Sequence, residues 1–368
     1  MSAPHLYAVL PDRVTDPSRP SGGSVYDLRV CAALESTGRA VDRILVPGAW
    51  PTPSAPDLAG LGAALTALPD GATVLLDGLV ACAAPDVVVP ATARLRTVVL
   101  VHLPLADETG PVPGEAARRE ACERDVLRAS AHVVATSRAV ADRLRRRHGL
   151  SPDRVHVARP GVDPAPVTAP SDDGTRLLSV ASLTPRKGHD VLVEALARVA
   201  DLRWECAFAG AEPDDAHAAA VRRLVRARGL GHRVEFTGPL SPGELSARYA
   251  RTDLLVLASR AEPYGMVVTE ALARGIPALV TAVDGLPEAL RGDDGPTPGL
   301  PGLLVPPDDA NALATGIRAW LTDPAVRARR RRAAGTRRTF LRPWEATATA
   351  LAAVLDRPPQ HHRPRRTR

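Results

Sequence analysis

One lysine, Lys187, stands among 47 basic residues; every other is an arginine. It lies in Leu183-Thr184-Pro185-Arg186-Lys187-Gly188-His189-Asp190, after an apolar run and at the start of a helical pattern. An ammonium is a compact, mobile point charge, whereas a guanidinium is a planar fork. A position that keeps lysine in so arginine-biased a chain fits a tight pocket where one phosphate oxygen must be reached. A surface lysine kept by chance is the plain alternative.

The second cluster is Glu262-Pro263-Tyr264-Gly265-Met266-Val267-Val268-Thr269-Glu270, with two carboxylates eight positions apart. Glu262 ends a turn after the apolar run 253–258, and Glu270 sits in a helix that starts near Gly265. A helix start beside a glycine presents free N–H groups and the positive end of a dipole, which suits a diphosphate. The carboxylates would then hold hydroxyl groups on either side of it. Ordinary capping explains one such pair; the Arg186-Lys187-Gly188 turn about 75 residues earlier makes the combination specific.

Lys187 with the Glu262/Glu270 pair resembles the donor site of retaining GT-B glycosyltransferases of family 4, the glycogen-synthase-like group. The resemblance is strong from about 175 to 310 and weaker before that. It implies an α/β GT-B fold, two Rossmann-like domains with parallel sheets facing a central cleft. It implies transfer of a sugar from a nucleoside diphosphate sugar to an acceptor hydroxyl with retention, the diphosphate itself taking the acceptor proton. By the same resemblance Lys187 contacts the diphosphate, Glu270 holds the ribose hydroxyls and Glu262 faces the transferred sugar. Backbone N–H groups of Tyr264, Gly265, Met266 and Val267 bind phosphate and sugar oxygens, and the base edge lies near Pro239-Leu240. The family usually carries an arginine five residues before the lysine, where this chain has Ser182. That departure leaves Arg186, or a residue of the other domain, as the candidate second cation. The loop resembles that of UDP-sugar users, so UDP is expected over GDP. No metal and no cofactor beyond the nucleotide sugar are expected. The acceptor is expected to be a small molecule or cell-envelope precursor. A lipid acceptor, with Arg145–Arg147 at an anionic membrane surface, is the less favoured choice.

Three features of the first half lie where ligands sit in open parallel sheets, beyond the C-terminal strand ends. Ser21-Gly22-Gly23-Ser24 lets a backbone approach a ligand closely and opens a helix. Gly22 and Gly23 match a family loop near the donor phosphates; a flexible turn is the other reading. His102, directly after Thr97–Val101, resembles the family histidine that contacts the transferred sugar, or is a capping residue. Asp77, after Thr73–Leu76, would shape the acceptor pocket or cap the following turn.

Short apolar runs alternate with helical patterns throughout, the signature of parallel α/β sheets with right-handed crossovers. Strands are expected at Leu6–Leu10, Ile44–Val46, Thr73–Asp77, Thr97–Val101 and His132–Ala135, with helices at 24–36, 115–129 and 138–147. A second set follows, with strands at 176–181, 204–209, 233–237, 253–258, 277–281 and 303–305. Its helices are expected at 188–199, 216–228, 243–250, 266–273 and 309–322. The expected division is 1–165, 166–342, a helix over 343–357 that crosses back to the first domain, and a disordered basic tail at 358–368. The Gly- and Pro-rich segment 291–301 is expected to be a surface turn.

At 368 residues the chain accommodates two ordinary domains. Aromatics at 3% force cores of Ala, Val and Leu, and leave few rings for stacking nucleic-acid bases. The net charge of +6 is concentrated in Arg145–Arg147, Arg327–Arg332 and the tail, which read as solvated helix faces and a loose end. Four scattered cysteines without a CxxC fit a reducing compartment rather than disulfides or a metal site. The absence of a signal-peptide pattern or long apolar stretch points to a cytoplasmic protein, and abundant Ala, Arg and Pro with a single Lys fit the codon bias of a GC-rich, bacterial genome. Two rival functions stay open. One is a nucleotide-sugar hydrolase or epimerase on the same fold, with His102 as its base. The other is a non-catalytic nucleotide- or nucleic-acid-binding protein.

Overall fold

A computed structural model describes residues 5–16, 21–107, 114–292 and 299–357. In the first half, β1 (Leu6–Pro11), α1 (Gly22–Ser36), β2 (Val41–Val46), α2 (Ala55–Thr66), β3 (Thr73–Asp77) and α3 (Gly78–Ala81) come first. They lead to α4 (Pro85–Ala91), β4 (Arg96–Val101), α5 (Glu115–Ala129), β5 (His132–Ala135), α6 (Arg138–His148) and β6 (Val155–Val157). The second half runs β7 (Arg176–Val180), α7 (His189–Ala197), β8 (Glu205–Ala209), α8 (Asp215–Ala227), β9 (Val234–Gly238), α9 (Pro242–Tyr249) and β10 (Leu254–Leu257). Then come α10 (Met266–Ala273), β11 (Ala278–Thr281), α11 (Leu286–Arg291), β12 (Gly302–Val305), α12 (Ala310–Thr322), α13 (Pro324–Arg338) and α14 (Trp344–Leu355).

The strands form two six-stranded parallel sheets, ordered β2-β1-β3-β4-β5-β6 and β12-β11-β10-β7-β8-β9. Alternate residues of a strand point to opposite faces. In β10, Leu254 and Val256 enter one apolar core while Leu255 and Leu257 enter another, so helices cover both sides of the second sheet. Such strands must be apolar at successive positions, which is why they stood out as short unbroken runs.

The chain divides into two compact units. The first holds β1, α1 from Gly23 on, the elements through β6, and α14; the second spans Pro160–Pro343, with Asp16, Ser21 and Gly22 grouped with it. The boundary therefore falls before the expected 165/166. Val162 donates its N–H to the Arg342 carbonyl at 2.9 Å, and Val162 and Ala165 pack with Ala273, so 160–165 belong to the second unit. Residues 164–174 have no helix or strand but are pinned. Ser171 bonds the buried Asp253 through its N–H at 2.7 Å and its hydroxyl at 2.5 Å. α14 is held within the first unit by Thr347 on the Arg159 carbonyl at 2.7 Å and Arg39 on Asp356 at 2.6 Å.

A sixth strand, β6, extends the first sheet; three residues beside a proline-rich stretch give too short a pattern to read. α2, α3, α4, α11 and α13 are likewise not among the helices named from the sequence. α13 hides behind its charge: the run Arg327–Arg332 is not simply a solvated face. Arg327 is buried and donates to the Trp320 and Leu321 carbonyls at 3.0 Å, and Arg331 reaches the Ser171 carbonyl at 3.2 Å. Arg145 and Arg147 are likewise tied down, to the Val155 carbonyl at 2.6 Å and to Asp107 at 3.0 Å. A guanidinium satisfies several acceptors at once, which suits it to closing helix ends and loops. Among the described residues no helix is long and apolar enough to cross a membrane. The 358–368 tail and most of the 291–301 segment lie outside the described residues.

Candidate functional site

In the second sheet β7 and β10 lie side by side, and the strand order reverses between them. Open α/β sheets bind ligands beyond the strand ends at such a switch point. Lys187 follows β7 and Glu262 follows β10, so residues 75 positions apart meet there: Lys187 Nζ lies 2.5 Å from Glu262 Oε2. Only 13% and 12% of these side chains are exposed. The Ser259 hydroxyl stands 3.5 Å from the same carboxylate oxygen. The approach depends on Gly188, whose φ is +64° and where a Cβ would stand 2.1 Å from the Ala258 carbonyl oxygen.

Arg260 locks this turn. Its N–H donates to the Arg186 carbonyl at 2.8 Å, and its guanidinium grips Asp190 at 3.0 and 2.6 Å, Asp308 at 2.6 Å and the Pro185 carbonyl. Three loops, after β7, β10 and β12, are thereby joined. Glu262 is fixed through its backbone, donating to Asp284 at 2.9 Å and accepting from the Gly285 N–H at 3.1 Å. Arg186 donates to the Ala261 carbonyl at 3.1 Å, so its guanidinium braces the Glu262 loop. Among the described residues the Ser182 hydroxyl makes no hydrogen bond; its carbonyl accepts from Thr184 at 2.9 Å.

Gly265 caps α10 with φ +93° and offers no side-chain cap, so the first turn, Met266 and Val267, points backbone N–H groups outward from the strand ends. Glu270, in the second turn, accepts from the Tyr249 phenol at 3.0 Å, and the Arg274 guanidinium covers the Tyr249 ring at 4.6 Å. Burial raises the Glu270 pKa, opposed by the Tyr249 hydrogen bond and the Arg274 charge. The two glutamates thus differ: Glu262 is held by a cation and Glu270 by a phenol. Tyr264 is buried, and Leu240, Met266 and Val267 pack against the same apolar cluster as Tyr249.

The first unit gathers a different set. Asp77 ends β3 and its Oδ1 accepts from the Leu79 N–H at 2.6 Å, capping α3. His102 follows β4, and its Nε2 lies 2.8 Å from Asp27 Oδ1 and 3.9 Å from Asp77 Oδ2. Asp27 lies in α1, after the Gly22-Gly23 turn; a Cβ on Gly23 would stand 3.2 Å from the His102 ring. Tyr26 packs its ring edge-on to His102 at 5.1 Å and to Trp344 at 5.6 Å, and donates to the Ala158 carbonyl at 2.9 Å. Asp27, Asp77 and His102 offer ligand atoms within 4.8 Å of one another, a set a divalent cation also fits. Cation binding through Nε2 would compete with the Asp27 hydrogen bond. Burial, then the Asp27 charge, pushes the Asp77 carboxyl up to about 8. For His102 burial pulls downward, but the Asp27 charge and hydrogen bond, with Asp77, prevail and raise it to about 9.

Both shifts favour the proton-bound form, so stability is greatest below the ordinary pKa and is lost as pH rises through the raised one. For His102 the window runs from its ordinary 6.5 to about 9, and Asp77 adds a loss that ends near 8. Calorimetry should show the melting temperature falling across that window, and falling less in His102→Gln.

Sequence reasoning missed Asp27, Tyr249, Arg260 and Asp284. Each acts on a residue more than 20 positions away in sequence, and none stands in a spacing that marks it.

Two family profiles cover most of the chain: glycosyl transferases group 1 over residues 166–337, and glycosyltransferase family 4 over 28–166. A D-inositol 3-phosphate glycosyltransferase of Catenulispora acidiphila is 33% identical over 265 residues, 64% of this chain and 59% of that protein. The chain therefore spans less than two thirds of that relative's length. The sucrose-phosphate synthase of Thermosynechococcus elongatus superposes with a TM-score of 0.76 at 22% identity, covering 96% of this chain and 98% of that one. Anabaena HepE in complex with UDP-glucose superposes with a TM-score of 0.75 at 18% identity, covering 95% and 99%. With two parallel-sheet units, a lysine and glutamate meeting at a switch point, and both halves matched, the chain belongs to the group 1 glycosyltransferases and has their two-domain GT-B fold.

Proposed function

We propose that the protein transfers a sugar from a nucleoside diphosphate sugar, UDP-sugar by preference, to an acceptor hydroxyl with retention at the anomeric carbon. The observation that carries this reading is the Lys187–Glu262 contact at the switch point, with Glu262 four residues before the first residue of α10, whose N-cap is a glycine. The diphosphate takes the Lys187 charge and the N–H groups of Met266 and Val267. Glu262 then accepts from hydroxyls of the sugar, and Glu270, oriented by Tyr249, accepts from the ribose. In the transfer the bond from the anomeric carbon to the diphosphate oxygen breaks and one to the acceptor oxygen forms on the same face. The acceptor proton passes to a diphosphate oxygen, so no protein base and no metal is needed. Fixed charges aimed at the leaving group supply most of the acceleration in such a scheme.

The UDP-glucose held by Anabaena HepE supports the base preference, although that likeness rests on fold. The names of the relatives support a small polyol-like acceptor. We further place the protein in the cytoplasm, which four unpaired thiols favour.

A thermal-shift panel of UDP, GDP, ADP and dTDP tests the reading on the wild type and Lys187→Ala. Stabilisation by UDP above the others, lost in the variant, is expected; no shift with any diphosphate would overturn the donor site. Glu270→Ala should weaken UDP binding about tenfold by removing a charged acceptor of ribose hydroxyls. Turnover at saturating donor should change far less. An unchanged UDP affinity by calorimetric titration would contradict the ribose assignment.

A further inference from the structure

Asp27 is a buried carboxylate of the first unit, apart from the Lys187–Glu262 contact. It is 1% exposed, it lies in α1 behind the Gly22-Gly23 turn, and one of its oxygens meets His102 Nε2 at 2.8 Å. No N–H or hydroxyl donates to its other oxygen, Oδ2, and the neighbouring Asp77 carboxyl shares a side-chain hydrogen bond with Asp27. Burying a carboxylate costs several kcal/mol unless a charge or donor answers it, so such a group persists where it has a task. The side chain it answers to is His102, the residue already singled out at the end of β4.

The geometry fixes which ring nitrogen is at work. Nε2 is engaged by Asp27, and among the described residues Nδ1 has no partner. The imidazole is crowded: Tyr26 stands edge-on to it at 5.1 Å, a Cβ on Gly23 would press the ring at 3.2 Å, and Asp77 Oδ2 lies 3.9 Å from Nε2. The side chain nevertheless stays 19% exposed, so the ring is reachable from outside the core.

We propose that Asp27 is a positioning residue: it anchors His102 through Nε2, so that the Nδ1–H of a cationic ring is presented to an oxygen of the sugar substrate. The proposal rests on the glycosyltransferase reading, in which His102 faces substrate. The titratable groups that face the ring are Asp27 and Tyr26 from α1 and Asp77 from the end of β3. Asp27 and Asp77 lie close enough to share one proton, as paired carboxylates do. Asp77 takes it, because burial and the Asp27 charge both act to keep its proton on. Asp27 Oδ1, at 2.8 Å from Nε2, is then the close partner of the ring. The arrangement gives a hydrogen-bond donor that keeps its charge through the neutral range, where an isolated histidine would lose it.

Asp27→Asn keeps the shape and removes the charge. The ring should then lose its proton near or below the ordinary histidine value. At pH 7.5 turnover should fall about 100-fold, the size of effect expected from losing one preorganised donor. Activity should partly return as the pH is lowered towards 6, a limb the wild type lacks. UDP affinity should stay within about twofold, since the diphosphate site belongs to the second unit. A merely structural role for Asp27 would lower the melting temperature without moving the pH profile. The decisive companion measurement is the proton-NMR titration of His102, assigned with His102→Gln. Between pH 6 and 8 the ring signal should be flat in the wild type and should titrate in Asp27→Asn. A wild-type His102 that titrates below pH 7 would overturn the proposal even if the variant failed to fold. So would an unchanged pH–rate profile in Asp27→Asn, or selective broadening of the His102 signal by micromolar Mn²⁺, which would make the cluster a cation site. If the wild type transfers no sugar from any donor, the functional reading fails, and the His102 titration still decides the role of Asp27.

Discussion

Lys187→Ala should lower kcat/KM for sugar transfer about 1,000-fold, roughly 4 kcal/mol of transition-state stabilisation. The reason is where the charge sits. In the chain's own structure the ammonium is answered by Glu262, and the contact is largely screened from water. In the proposed transfer negative charge develops on the oxygens of the departing diphosphate, and a fixed ammonium at the switch point meets it without solvent reorganisation. Losing the lysine also strands the Glu262 carboxylate, so the variant should be less stable by about 1–2 kcal/mol. That is more than a surface lysine would cost, and a denaturant melt measures it. Lys187→Arg should not restore activity, because the larger planar fork must enter a turn pressed against the Ala258 carbonyl. Transfer within tenfold of wild type in Lys187→Ala would remove the lysine from the mechanism.

Gly188→Ala should be a severely damaging one-carbon change near the site. An alanine there must adopt φ +64°, which costs about 1 kcal/mol, and its Cβ meets a backbone oxygen at 2.1 Å. Neither side can yield cheaply, because Ala258 directly follows the buried strand β10 and Gly188 opens α7. A total of about 3 kcal/mol, or a melting temperature lower by roughly 10 °C, is expected. Donor binding should fail together with stability, since Lys187 is the adjacent residue. Gly231→Ala is the control: nothing lies within 4 Å of its added Cβ, and it should be close to neutral. Calorimetry on the two variants checks the pair, and a Gly188→Ala protein as stable as wild type would contradict the packing of the turn.

The fold was legible in the sequence because parallel strands buried on both faces must be apolar at successive positions. Leu254–Leu257 and His132–Ala135 are such runs, and they occur where the pattern puts them. β6 and the short helices α3 and α4 were not legible, since three to seven residues carry too little periodicity. α13 was obscured for another reason. Its arginines read as solvent-facing charge, and only the folded chain reveals the carbonyls of Trp320, Leu321 and Ser171 that they satisfy. For the candidate site, type and spacing single out Lys187, Glu262 and Glu270, and the structure brings Lys187 against Glu262 and opens α10 at Gly265. Their supports are not singled out in this way. Tyr249 ends a helix about 20 residues before Glu270, Arg260 grips Asp190 from 70 positions away, and Asp27 meets His102 across 75. Contacts of that span leave no local signature, because it is the sheet order that brings the loops together.

The arginine bias has a practical corollary. A guanidinium keeps its charge at any pH a protein survives and resists acylation, so the internal staples of the second unit are inert to amine-directed reagents. The lone lysine side chain is not, and its reactivity depends on its grip on Glu262. Apart from the α-amine, acylation of this protein therefore reports on one bond at one place, and the same chemistry that elsewhere labels a whole surface here becomes a gauge of whether the Lys187–Glu262 contact is closed.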